Sequence, residues 1–406
     1  MATPLFDPAR HEPLSGPAWQ ADAARQAVHG LAAAAEQAHE GVAGWPTHPL
    51  DEPRVPGMRY HNLYMGGGGV VWTLEALARA GAISLRTDFG VYLDGLVERN
   101  RGSDEGLGEG SASFLMGDAG LLLMQWLRGA DDAVAERLFG VVESNLDHPA
   151  REALWGNPGT VLAAIRIAEA TGEVRWTALV RRAVERLWEQ MEVDPETGTW
   201  VWQQHLYGRR SRMLGAGHGL AGNVFAPLRA AAMLDPALVQ GFADRALTTL
   251  QATALHDAGG ANWHPMIDAA RAAGRLPLVQ DCHGAPGIVC RLAGVPPGAH
   301  DDAWNELLTA AGELTWRAGP LVKGASLCHG TAGSAMACLK LFRRFDDGRW
   351  LDRARALAMH AVGQVERHRA QYGMGRHTLW TGDLGLAWVL WQCTVEGDRF
   401  PTLDAP

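Results

Sequence analysis

The stretch Gly382-Asp383-Leu384-Gly385-Leu386-Ala387-Trp388-Val389-Leu390 sets a glycine, two residues and a second glycine ahead of a run of apolar side chains. The same signature stands at Gly66/Gly69, Gly117/Gly120, Gly156/Gly159, Gly219/Gly222, Gly284/Gly287 and Gly330/Gly333, making seven copies spaced 39 to 65 residues apart. Val70-Val71-Trp72-Thr73-Leu74 follows the first, Leu121-Leu122-Leu123-Met124 the second and Thr160-Val161-Leu162-Ala163-Ala164 the third. Such segments, rich in Ala, Leu and Met and about three turns long, read as helices apolar on most faces and therefore buried.

Between the copies lie amphipathic stretches, such as Asp132 to Asn145 and Trp176 to Gln190, with charges on one side and apolar residues on the other. The repeating unit is then an outer amphipathic helix, a loop, a glycine corner and an inner apolar helix. The glycines allow tight turning and close helix contact where the inner helix begins. Inner helices buried all round favour a closed ring over an open solenoid. The expected fold is all-α, an α/α toroid of about seven inner and seven outer helices, in a single domain over residues 1–406. Residues 1–58 are expected as a helical extension, with an Ala-rich helix from Trp19 to His39, and 59–395 as the seven repeats. Thr199-Trp200-Val201-Trp202, within Asp194 to Gly208, alternates and suggests a short hairpin.

The 406 residues are 47% hydrophobic and 20% charged, enough to bury a large core, with a formal net charge of −9. No broad basic field follows from that balance, so neither nucleic acid nor an anionic membrane is an expected partner. No window reaches the roughly 20 uninterrupted apolar residues of a membrane span. Met1 to Gly16 carries charges and three prolines rather than an apolar signal core, so a soluble, cytoplasmic protein is expected. Five cysteines form a sparse, odd set unlike a secreted disulfide framework.

Aligned on the first glycine of each pair, the preceding residues are Met65, Met116, Trp155, His218, His283, His329 and Thr381. One position earlier stand Tyr64, Leu115, Leu154, Gly217, Cys282, Cys328 and Trp380. Three histidines and two cysteines thus collect in three successive copies, and a closed ring would bring them to one end of its central cavity. Zinc takes thiolate and imidazole, and a catalytic site keeps three protein ligands and an open position. Cys282, Cys328 and His329 are therefore candidate zinc ligands. The start of a helix favours thiolate over thiol. Cys290, Cys338 and Cys393, within or after apolar segments, read as core residues.

Gly217-His218-Gly219-Leu220-Ala221-Gly222, Cys282-His283-Gly284-Ala285-Pro286-Gly287 and Ser326-Leu327-Cys328-His329-Gly330-Thr331-Ala332-Gly333 together resemble the three motifs of the lanthionine synthetase C-like family. The resemblance extends over roughly residues 60 to 395, through all seven corners. It implies an α/α toroid with one zinc that adds a thiol to dehydroalanine or dehydrobutyrine, giving a thioether. It implies Cys282, Cys328 and His329 as ligands, and acid–base roles for His218 first and His283 second. Glu152 falls where members place an acidic residue that would orient those histidines. Lys323 matches a lysine of the glutathione-binding branch, and Arg376 is a looser candidate of the same kind for a substrate carboxylate. Asp281, beside the ligands, would accept a hydrogen bond from a ligand or partner histidine or cap the helix start. The peptide-cyclising members carry arginine where this chain has Leu278, tryptophan where it has Asp281, and mostly tyrosine where it has His283. The chain is thus closer to the stand-alone, eukaryote-like branch, and its expected partners are a peptide cysteine or glutathione and a dehydroamino-acid-containing peptide or protein. Two other readings stay open. One is a protein that binds zinc and glutathione or a peptide without turnover. The other is an α/α-barrel carbohydrate enzyme, with Trp155 and Trp380 stacking on sugar.

Overall fold

The structure, a computed structural model, describes residues 4–103, 111–267, 274–298 and 300–404. In chain order its helices are α1 (Ala21–Gln37), α2 (Gly67–Arg79), α3 (Gly90–Asp94), α4 (Leu96–Ser103), α5 (Asp118–Gly129), α6 (Asp132–Ser144), α7 (Asn157–Thr171), α8 (Val174–Glu189), α9 (Leu220–Arg229), α10 (Pro236–Thr253), α11 (Ala285–Leu292), α12 (Asp301–Ala318), α13 (Thr331–Phe345), α14 (Gly348–Tyr372) and α15 (Asp383–Val395). The helices α2, α5, α7, α9, α11, α13 and α15 each begin immediately after the first glycine of a pair and are buried on most faces. They form the inner layer of an α/α toroid.

The second glycine of each pair answers to one steric demand. The chain doubles back so that the carbonyl six residues earlier lies over the first turn of the inner helix. A Cβ there would sit between 1.7 Å (Gly287, under the Asp281 carbonyl) and 2.4 Å (Gly385, under the Leu379 carbonyl) from that oxygen. At Gly120 the crowding is double, because a Cβ would also lie 2.3 Å from Leu63 Cδ1 of the neighbouring corner. Gly284 adds a φ of +112°, which L side chains rarely adopt.

Neighbouring inner helices pack in the order α2, α15, α13, α11, α9, α7, α5. The ring closes where Leu63 lies against Gly120 and the Tyr64 N–H donates to the Leu115 carbonyl at 3.0 Å. That bond is one link of a circle. Trp380 donates to Tyr64 (3.1 Å), Cys328 to Trp380 (2.9 Å), Cys282 to Cys328 (3.3 Å) and Gly217 to Cys282 (3.1 Å), all backbone to backbone. These residues occupy the position two before the first glycine of their corners. At Leu154 side chains take over: Ser113 Oγ donates to its carbonyl and Glu152 Oε2 accepts from its N–H.

Outside this ring α6, α8, α10, α12 and α14 follow their inner helices. Side chains of Asp131, Asp235 and Asp347 cap three of them at the N-terminus. The outer layer between α2 and α5 is broken into α3 and α4 at Gly95. Helix α1 packs along α15 and so covers the last inner helix. The stretch expected as an extension therefore contributes to the outer layer. The expected hairpin resolves into two ribbons: β1 (Glu192–Val193) pairs with β2 (Trp200–Val201), and β3 (Gln204–Leu206) with β4 (Arg209–Ser211). A third, β5 (Leu255–Asp257) with β6 (Gly260–Asn262), lies between α10 and α11.

Two glycine substitutions separate corner from helix. Gly120→Ala overpacks the α2–α5 junction and is expected to cost about 1–3 kcal/mol. Gly140→Ala, on the exposed face of α6 with nothing within 4 Å of the added Cβ, is expected to stabilise by about 0.5–1 kcal/mol. Urea denaturation reads both; equal effects would contradict the corner geometry.

Candidate metal centre

The corners before α11 and α13 place Cys282 and Cys328 on the same rim, linked by their own backbone hydrogen bond. Cys282 Sγ, Cys328 Sγ and a ring nitrogen of His329 lie within 4.8 Å of one another, and His329 Nε2 is 3.6 Å from Cys328 Sγ. Both cysteines are buried. Among the described residues this is the sole cluster of three or more His, Cys, Asp or Glu ligand atoms at such spacing. Two sulfurs and an imidazole suit zinc, and the cavity beside them leaves room for a fourth ligand. Burial and then the neighbouring Cys282 push the Cys328 thiol well above its ordinary range. A bound cation reverses that balance.

Each sulfur has a neutral donor of its own. Tyr64 Oη donates to Cys328 Sγ at 2.9 Å, and Gln280 Nε2 to Cys282 Sγ at 3.0 Å. Neither was singled out as a site residue from sequence. Tyr64 did stand in the aligned position that supplies the cysteines, which was its signal; Gln280 had none.

At the next corner His218 Nδ1 lies 2.8 Å from Glu152 Oε2. Glu152 is fully buried and also accepts from the backbone N–H groups of Leu154 and Trp155. A carboxylate held this way accepts only, so Nδ1 carries the proton and Nε2 is the nitrogen left for a substrate. The His283 ring stands 5.9 Å from that of His218. Burial, then His218 and His329, push His283 down to about 3, so it is neutral at physiological pH, and its Nδ1 has no partner among the described residues.

A cavity of about 190 Å³ adjoins these groups and is lined by Cys282, Cys328, His329, His218 and His283 together with apolar side chains. A second, more open cavity of about 580 Å³ is lined by Ser326, His368, Gln371 and Arg376. Lys323 and His329 line both. Lys323 is exposed and makes no ion pair among the described residues, whereas Arg376 is already held by Asp51. Asp281 borders the first cavity, but its carboxylate is taken by a bidentate pair with Arg291 (3.2 and 2.8 Å), both side chains almost wholly buried. Burial pushes the Asp281 carboxyl up against the pull of Arg291. Trp380 lines the first cavity, while Trp155 Nε1 donates to Tyr207 Oη at 3.0 Å.

The profile of the lanthionine synthetase C-like proteins matches residues 57–402. The chain belongs to this family. A zebrafish (Danio rerio) relative, "Glutathione S-transferase LANCL1", is 31% identical over 157 residues, 38% of this chain and 35% of that protein. The Arabidopsis thaliana "LanC-like protein GCL1" is 41% identical over 86 residues, 20% of this chain and 19% of its own length. The aligned stretches thus span about a third and a fifth of these two relatives. Among solved structures the fold is similar to that of nisin cyclase, with a TM-score of 0.62 and 15% identity over 86% of this chain and 94% of that one. Among the described residues, no helix of this family member is long and apolar enough to cross a membrane.

The buried pair beside the ligands gives a direct test. Arg291→Met strands the Asp281 carboxylate and is expected to cost about 3–5 kcal/mol in urea denaturation. Replacing both, as Asp281→Leu with Arg291→Met, is expected to recover most of that loss. A single variant as stable as wild type would contradict the pairing.

Proposed function

We propose that this family member is a zinc-dependent enzyme that adds a thiol to a dehydroalanine or dehydrobutyrine residue, forming a thioether. The observation that carries the reading is the convergence of Cys282, Cys328 and His329 beside a cavity that also holds the His218–Glu152 pair. Held by Cys282, Cys328 and His329, zinc would supply Lewis acidity that lowers the pKa of a nearby thiol toward neutrality. The chain's own groups do the rest. His218 Nε2 takes the thiol proton, and Glu152 stabilises the imidazolium that results. The sulfur bonds to the β-carbon while the C=C electron pair moves onto the adjacent carbonyl. His218 then returns the proton to the α-carbon, so the net change is addition of S–H across the double bond. Neutral His283 lies beside His218 as a hydrogen-bonding neighbour for the acceptor.

For the donor we favour glutathione over a peptide cysteine. Leu278 and Asp281 replace the arginine and tryptophan of the peptide-cyclising members, and Asp281 is occupied by Arg291. Lys323, which lines both cavities and makes no ion pair among the described residues, is placed to hold a donor carboxylate. The relative named as a glutathione S-transferase points the same way. Five free cysteines are in keeping with a cytoplasmic, reducing setting.

Incubation of the zinc-loaded protein with glutathione and a dehydroalanine peptide should give thioether in proportion to time and enzyme. His218→Ala should lower kcat by about 10²–10⁴-fold without loss of zinc, and Glu152→Gln should lower it less. Tight glutathione binding with no product above the uncatalysed rate would leave a binding protein instead.

A further inference from the structure

The metal-side groups occupy only one end of the 190 Å³ cavity. Away from them the lining is mostly apolar, with Arg291 the charged group at depth, its guanidinium paired with Asp281. Leu162 and Phe225 each stand six residues into their inner helices, α7 and α9. At 1.5 Å per residue that is about 7–8 Å beyond the corners that carry the ligands. Leu403 closes the same space from the C-terminal segment. That segment is anchored: Arg166 Nη2 donates to the Leu403 carbonyl at 3.3 Å, Lys340 pairs with Asp404, and Phe400 packs on Trp380 with ring centroids 5.2 Å apart. Phe114 and Leu154 complete the walls.

The proposed reaction needs two substrates, and the two cavities differ in kind. The open one is polar and charged, with Arg376 held by Asp51 and Lys323 making no ion pair among the described residues, so Lys323 is the group placed for an anionic thiol. His218 and His283 line only the enclosed one, so the carbon that receives the proton must lie there. Peptide backbone is disfavoured in its deep end, where Arg291 and Asp281 already satisfy each other and the neighbouring side chains are apolar. An apolar side chain is suited to it, and an apolar chamber of about 150 Å³ is enough to hold a benzene ring.

We infer that the interior of the barrel is an acceptor-side specificity pocket, which takes an apolar side chain flanking the dehydroamino acid and whose depth Leu162, Phe225 and Leu403 set. The inference rests on the thioether-forming reading of the same site.

The test compares two acceptors, N-acetylated and amidated Leu-dehydroalanine-Leu and Gly-dehydroalanine-Gly, with glutathione and the zinc-loaded full chain. The leucine peptide should have a kcat/KM at least about tenfold higher, the scale at which an apolar pocket discriminates. Leu403→Trp shallows the chamber and should reduce that ratio. Phe225→Ala deepens it and should move the preference to the corresponding phenylalanine peptide. Either shift supports the pocket should the other variant fail to fold. Equal rates for both peptides in wild type would overturn the inference and leave the thioether chemistry standing. No product from either would overturn the chemistry. Calorimetry with unreactive Leu-Ala-Leu and Gly-Ala-Gly then decides the pocket alone: tighter binding of the leucine peptide upholds it, and equal or absent binding sinks it.

Discussion

At each corner of the ring a backbone carbonyl lies over the first turn of an inner helix, at a distance that only a glycine hydrogen tolerates. That contact fixes how the loop enters the helix, and hence where the two residues before the corner point. The circle of backbone hydrogen bonds joins one corner to the next through the first of those residues, two before the glycine. Cys282 and Cys328 are themselves one link of it, at 3.3 Å from N to O. The spacing of the two sulfurs is therefore set by the same bond that holds neighbouring repeats in register. A metal bound there would find its ligands already positioned and lose little to ordering them.

The circle's interruption is equally informative. At Leu154 the neighbour-to-neighbour links pass through Ser113 and Glu152. Glu152 uses the opening to hold His218, so this carboxylate sits where the backbone pattern gives way. Burying it is tolerable because two backbone N–H groups and an imidazole satisfy it. Asp281 and Arg291 solve the same problem by pairing with each other, and Arg291 also lies over the Phe400 ring, 4.4 Å from its centroid. Polar groups thus stay at the metal end and along the wall nearest the C-terminal segment, and the rest of the chamber is apolar.

The architecture was legible because it repeats. Seven glycine pairs ahead of apolar runs gave the inner helices, and the aligned positions before them gave the cysteines and histidines that the structure brings together. Asp281 shows the limit. Its neighbours suggested a bond to a ligand or a helix cap, but Arg291, ten residues on and one face of α11 away, takes the carboxylate. Arg376 likewise read as free, yet Asp51, 325 residues earlier in the chain, holds it. Gln280 and Leu403 left no mark in the sequence, since a donor to sulfur and the floor of a cavity are products of the closed ring. The outer layer was blurred for the same reason: α1 meets α15 only because the chain comes round a circle.

Zinc content tests the central claim most directly. Purified wild-type protein should carry about one zinc per chain, and Cys282→Ala and Cys328→Ala should each lose it while Cys338→Ala, a core cysteine, keeps it. Wild-type protein that stays folded and takes up no zinc even when zinc is supplied would contradict the account, because the thiol activation on which the proposed chemistry depends would have no source.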